Sequence, residues 1–145
     1  MMARTDAAKR TDPARADSYA EVGRRLLHAA RAITEQGDAR HASALAILAV
    51  HSVIAYADAA AIHTGGRRST SDDHTAALAL LRAVLGNRLS EKTFKDIQRV
   101  IAEKDRFEYQ GYVADMKEAR ALLDRAERVG AWCEEWLAGT ARLRS

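Results

Sequence analysis

Three sets of residues are of types that chemistry uses. The first is Arg106, Tyr109 and Tyr112, in the run Arg106-Phe107-Glu108-Tyr109-Gln110-Gly111-Tyr112. A guanidinium grips a phosphate bidentately, and a phenol hydrogen-bonds or stacks with a nucleotide base. With a pKa near 10, that phenol is a poor base at neutral pH. The second set centres on Asp58, in Tyr56-Ala57-Asp58-Ala59-Ala60-Ala61, with His51 two helical turns earlier on the same face. A carboxylate in so apolar a run is costly unless paired, and Arg106, His74 and Tyr109 are its candidate partners. Two readings stand. One is a structural ion pair that fixes helix register; the other is a polar pocket of Asp58, His51 and Tyr112 at one end of the molecule. The third set is basic: Arg67 and Arg68 in Gly65-Gly66-Arg67-Arg68-Ser69, then Lys92, Lys95 and Arg99 at helical spacing, then Lys104. Glycines and arginines ahead of a helix N-terminus suit a phosphate, although Asp72 and Asp73 follow at once and would repel one.

The spacing offers no metal centre. The histidines are His28, His41, His51, His63 and His74, and no Glu-x-x-His pair of the di-iron type accompanies them. Zinc sites usually show local ligand spacing, so neither metal nor cofactor is expected. Cys133 is the single cysteine and lies between Trp132 and Trp136. It reads as a packed thiol, with no internal disulfide available to it.

The elements that must position these residues are helical. Apolar residues make up 48% of the 145, much of it alanine, against 6% aromatic, 30% charged and one proline. Ala, Leu, Arg and Glu lose little side-chain entropy in a helix, whereas a sheet needs more Val, Ile, Thr and aromatics. The net charge of +3 is mild; it permits an acidic partner without demanding one.

Along the chain, residues 1–12 lack an apolar period and read as a flexible tail. Asp12-Pro13 then starts a helix to about Glu35 with an apolar stripe of Tyr19, Val22, Leu26, Ala29, Ala30 and Ile33. A second helix, about Ala39 to Thr64, is apolar most of the way round and is expected at the centre. Gly65-Gly66 stops it. A third runs from Ser71 or Asp72 to Gly86. A fourth starts at the Ser90 cap and turns Phe94, Ile97, Val100 and Ile101 inward. A fifth opens with Asp115 and Glu118 at capping-box spacing and carries Leu122, Leu123, Ala126, Val129, Trp132 and Trp136. The expectation is an all-α fold, an antiparallel bundle of about five helices over residues 13–140, with 141–145 a C-terminal tail. No apolar run is expected to approach the ~20 residues of a membrane span, and the N-terminus lacks a signal-peptide core. A cytoplasmic location, with no membrane partner, is the expectation.

The stretch His51-Ser52-Val53-Ile54-Ala55-Tyr56-Ala57-Asp58, then Gly65-Gly66-Arg67-Arg68-Ser69 and Asp73-His74, resembles a bacterial branch of the HEPN domains. So does Lys104-Asp105-Arg106-Phe107-Glu108-Tyr109 ahead of a helix near Asp115. The likeness runs from about Tyr19 to Leu137 and rests on the order and spacing of short motifs. It implies a four- or five-helix bundle that commonly dimerises. Many such domains are metal-independent endoribonucleases, often toxins paired with a nucleotidyltransferase antitoxin; others bind RNA or proteins without catalysis.

The catalytic members carry an arginine followed about four to six residues later by a histidine. Arg106 matches the arginine, but Gln110, Gly111 and Tyr112 occupy the histidine's places. Arg68 and His74 form a second pair at similar spacing in another loop. The resemblance therefore implies an RNA-binding or protein-interaction homodimer with a degenerate nuclease motif. Its rivals are an active endoribonuclease toxin using Arg106 with His74, and a purely structural dimeric bundle.

Overall fold

In a computed structural model, which describes residues 8–70 and 74–144, Asp12 and Pro13 start the first helix as the sequence predicts. The Asp12 carboxylate accepts from Ala14 N–H at 3.0 Å and opens a 3-10 turn, Pro13–Arg15, that leads into α1 (Ala16–Gln36). Gly37, at φ +70, ends α1 by donating its N–H to the Ile33 carbonyl. The buried face of α1 is Ala16, Ala20, Gly23, Leu27 and Ala30. That face is turned by roughly one residue from the predicted stripe; Val22 is left 51% exposed. The reason is close packing: α1 meets its neighbour mainly through small residues, with Leu27 the one large side chain on that face.

That neighbour is α2 (Ala42–Gly65), the central helix, which buries Leu45, Val50, Val53, Tyr56, Ala60 and Ile62 almost completely. The stretch Ala39–Gly65 is long and apolar enough to cross a membrane, contrary to the sequence expectation. Here 72% of its apolar window is covered by the surrounding helices, which is what an all-round apolar helix in a bundle does. Gly66, at φ +65, caps it with an N–H to the Ile62 carbonyl at 2.8 Å.

A short ribbon follows. Residues Ala8–Arg10, expected in a flexible tail, form β1 and pair antiparallel with β2 (Arg67–Ser69). Thr11 N–H donates to the Gly66 carbonyl at 2.7 Å and continues the pairing. Next come α3 (His74–Leu85) and a 3-10 turn over Gly86–Arg88. In α4 (Glu91–Ala102), Ser90 Oγ accepts from Thr93 N–H at 3.1 Å as the predicted cap. Ile97, Val100 and Ile101 point inward, while Phe94 is half-buried under the Arg82 guanidinium, 3.6 Å from its ring centroid.

The chain breaks at Glu103, so α5 (Lys104–Tyr109) is a separate short helix. The last helix, α6 (Met116–Arg144), starts with the predicted box closed both ways. Asp115 Oδ1 accepts from Glu118 N–H at 2.8 Å, and Glu118 Oε1 accepts from Asp115 N–H at 3.2 Å. It extends through residues expected in a tail.

The result is an all-α bundle with one two-stranded ribbon. Contacts fix the directions. Arg24 with Glu134 and Arg31 with Glu127 set α1 antiparallel to α6. Asp96 with Arg128, and Arg106 with Glu118, set α4 and α5 antiparallel to α6 as well. By contrast, Ser43 Oγ accepts from Ala114 N–H at 3.1 Å, Tyr56 meets Glu134 and Thr64 meets Trp136. Thus α2 and α6, distant in the chain, run parallel.

Candidate functional site

The site with most polar chemistry forms where α5 turns into α6. Gly111, at φ +64, is the residue that lets the chain reverse there, and the reversal lays Tyr112 back on α5. The Arg106 guanidinium lies 4.1 Å from the Tyr112 ring centroid, and the Phe107 and Tyr112 rings sit 5.5 Å apart at 57°. Arg106 Nη2 donates to Glu118 Oε2 at 2.7 Å and lies 3.0 Å from Glu103 Oε2. Tyr112 donates its hydroxyl to Glu118 Oε1 at 2.5 Å. Glu118 is thus both helix cap and clamp, because the first turn of α6 aims it at Tyr112 and Arg106.

The electrostatics follow. The Tyr112 hydroxyl, then the Asp115 N–H and Arg106, hold the Glu118 carboxyl below the usual carboxylate range. Glu118 in turn pushes the Tyr112 phenol upward. Burial works against the Arg106 charge, but Glu103 and Glu118 outweigh it and raise its pKa. Beside them a groove of about 370 Å³ runs between α4–α5 and α6, walled by Arg99, Glu103 and Arg106 on one side and Glu118, Leu122 and Arg125 on the other. Arg125 Nε lies 3.7 Å from Asp96 Oδ1, while Arg128 takes both Asp96 oxygens at 3.1 and 3.2 Å.

Of the residues singled out from sequence, Arg106 and Tyr112 therefore meet, and Arg99 shares the groove wall with Arg106. Lys92, Lys95 and Arg99 are exposed on α4. The side chains of His74 and Tyr109 lie outside the described residues, as do Asp72 and Asp73.

Asp58, His51 and Tyr112 do not form one pocket. Tyr112 belongs to the chain reversal, where Ala114 binds Ser43 near the start of α2. Asp58 lies fifteen residues further on, roughly 22 Å along the helix at 1.5 Å per residue. Among the described residues, the charge that acts on Asp58 is Arg68, not Arg106. Burial pushes the Asp58 carboxyl up to about 6, and Arg68 pulls the other way. Periodicity hid this influence, because Arg68 comes near Asp58 only once β2 folds back after the Gly65-Gly66 stop.

Glu103, Glu118 and Arg125 were missed as site residues. The capping-box spacing of Asp115 and Glu118 was the available signal, but it spoke for a helix start and not for a clamp on Arg106. The tryptophans of α6 pack against the rest of the chain. Trp136 donates its indole N–H to Thr64 Oγ1 at 2.8 Å, stacks on Trp132 and lies under Arg88, so much of the pair is packed within the chain. Among the described residues, no group of three His, Cys, Asp or Glu side chains is placed to hold a metal ion. Compared with family models, curated proteins and solved structures, the chain matches none.

Proposed function

We propose that this chain is a HEPN-like module that binds single-stranded RNA and carries a degenerate ribonuclease motif. The observation that supports this most is the state of Arg106. Its guanidinium is engaged by Glu103 and Glu118 and faces Tyr112, while Gln110, Gly111 and Tyr112 follow where a histidine would serve catalysis. Attack by a ribose 2′-hydroxyl needs a base poised near neutral pH. Tyr112 is a donor whose pKa is raised, and Glu118 is a carboxylate whose pKa is lowered. Neither is matched to the task.

Binding rests on different groups. The exposed stripe of Lys92, Lys95 and Arg99 leads to the groove wall at Arg99, with Lys104 close by in sequence. In this reading the module works in the cytoplasm as a homodimer. A nucleotidyltransferase-type antitoxin is the partner the resemblance would add.

The test is fluorescence anisotropy with a labelled single-stranded RNA across a salt series. Binding should weaken with a log–log slope of about 0.7 per phosphate neutralised, and Lys95→Ala/Arg99→Ala should reduce that slope. The same RNA incubated without metal should stay intact. Efficient cleavage lost in His74→Ala would replace this reading with the endoribonuclease one, and RNA affinity indifferent to salt would remove it.

A further inference from the structure

The ribbon at the other end of α2 sets like charges opposite one another. Its register places Lys9 opposite Arg68 and Arg10 opposite Arg67. Partners across a ribbon share a face, so one side bears Lys9 with Arg68 and the other Arg10 with Arg67. Like charges directly opposite destabilise a strand pair, and a lone two-stranded ribbon is marginal to begin with. Arg15, just ahead of α1, adds a fifth cation nearby. None of the five makes an ion pair with a described carboxylate. Asp12, which also lines this region, has its carboxylate on Ala14 N–H.

The fold nevertheless builds a cavity here. Lys9, Thr11, Asp12, Arg15, Tyr19 and Arg68 enclose a groove of about 310 Å³. A second, of about 360 Å³, adjoins it through Arg10, Thr11 and Asp12 and reaches the backbone of Gly65 and Gly66. Arg68 is half-buried and set 5.7 Å from the Tyr19 ring centroid. Its fork is therefore restricted before any ligand arrives.

We propose that this groove binds consecutive phosphate groups, with Lys9, Arg15 and Arg68 as their ligands. A phosphate chain cancels the cross-strand repulsion that the free ribbon carries. Arg68 presents the planar donor pair that fits phosphate oxygens, and Lys9 and Arg15 add charge from the open side. The site is separate from the Arg106 groove and does not depend on the RNA reading. The phosphates come either from an RNA backbone or from a free polyphosphate.

The experiment titrates inorganic tripolyphosphate by calorimetry and a labelled single-stranded RNA by anisotropy. Both use the full chain, Lys9→Gln/Arg15→Gln, Arg68→Ala and, as a distant control, Lys117→Gln. The double variant keeps Arg68 beside Tyr19 and Asp58, so it tests the site without disturbing that packing. Tripolyphosphate affinity should fall about tenfold or more in the double variant, given what charge-assisted hydrogen bonds contribute, and stay unchanged in Lys117→Gln. A parallel fall in RNA affinity assigns the phosphates to RNA; a fall for tripolyphosphate alone assigns them to a free polyphosphate. The unliganded double variant should melt no lower than the parent, since it has lost repulsion. Tripolyphosphate binding that is absent in the parent, or equal in parent and double variant, overturns the proposal. RNA affinity that depends on Lys95 and Arg99 but not on Lys9 and Arg15, with no tripolyphosphate binding, removes this site and leaves the RNA reading standing.

Discussion

Tyr56 of α2 donates its hydroxyl to Glu134 of α6 at 3.2 Å, and the same carboxylate is held by Arg24 of α1 through two bonds of 3.0 Å each. One carboxylate thus ties together three helices. The Tyr56 side chain is 2% exposed and burial raises its pKa, with Glu134 adding to the effect, so the phenol stays protonated and remains a donor. Its ring passes between Gly23 and Gly130: a Cβ on Gly23 would stand 2.8 Å from two ring carbons, and one on Gly130 would stand 3.0 Å from Cε2 of the same ring.

Gly23→Ala should therefore destabilise the protein. Overpacking costs about 1–3 kcal/mol, which exceeds or offsets the ~1 kcal/mol that Ala gains over Gly in a helix. Gly139→Ala is the matched control, because nothing lies within 4 Å of its added Cβ, and it should stabilise by about 0.5–1 kcal/mol. Urea unfolding of both variants checks the pair. Equal shifts of the same sign would mean that Tyr56 does not fill the Gly23 notch.

Asp58 gives a pH dependence of definite sign. Its folded carboxyl is raised from 3.8 to about 6 by burial, against the pull of Arg68. Between those values the folded state binds more protons than the unfolded chain, so stability falls as pH rises through the window. At neutral pH the ionised group costs up to roughly 3 kcal/mol. Asp58→Asn should raise stability at pH 7.5 by about 1–3 kcal/mol and flatten the curve between about pH 4 and 6. Chemical denaturation at a series of pH values, parent minus variant, isolates the effect from other carboxylates. A variant less stable than the parent at pH 7.5 refutes it.

Glu118 runs the other way. Tyr112, the Asp115 N–H and Arg106 lower its pKa from 4.5, so its contribution is present above 4.5 and lost as pH falls through the lower folded value. Glu118→Gln keeps the amide-compatible capping geometry but removes the charge. Its melting temperature should depend less on pH below 4.5 than the parent's. The change also removes one negative charge from the groove that Arg99 and Arg106 line, so RNA affinity at neutral pH should rise. Thermal scans on the acid limb and anisotropy at pH 7 read the two effects separately.

Cys133 should be inert while the chain is folded. Its side chain is fully buried, its thiol donates to the Tyr56 carbonyl at 3.4 Å, and burial pushes its pKa up to about 12. At pH 8 the thiolate that reacts with disulfide reagents is then scarce. Labelling with such a reagent should be negligible in native buffer and complete in guanidinium chloride, so its rate reports unfolding. Rapid native labelling would show the α2–α6 seam to be open.

Amino-acid order alone determined the helical class, the Asp12, Ser90 and Asp115 starts, the glycine stops and the central place of the all-round apolar helix. These depend on backbone hydrogen bonding and local side-chain reach, which act over a few residues. Only the tertiary structure decided which face of α1 is buried, because the choice fell on where Gly23 admits the Tyr56 ring and not on where the larger side chains lie. It decided too that Arg68, not Arg106, acts on Asp58, that Glu118 clamps Arg106, and that Lys9 and Arg10 are drawn back against Arg67 and Arg68. Each of these joins residues brought together by helix directions or by chain reversals at Gly66 and Gly111. Periodicity says which positions are apolar, but distance between charges is set by how the elements cross.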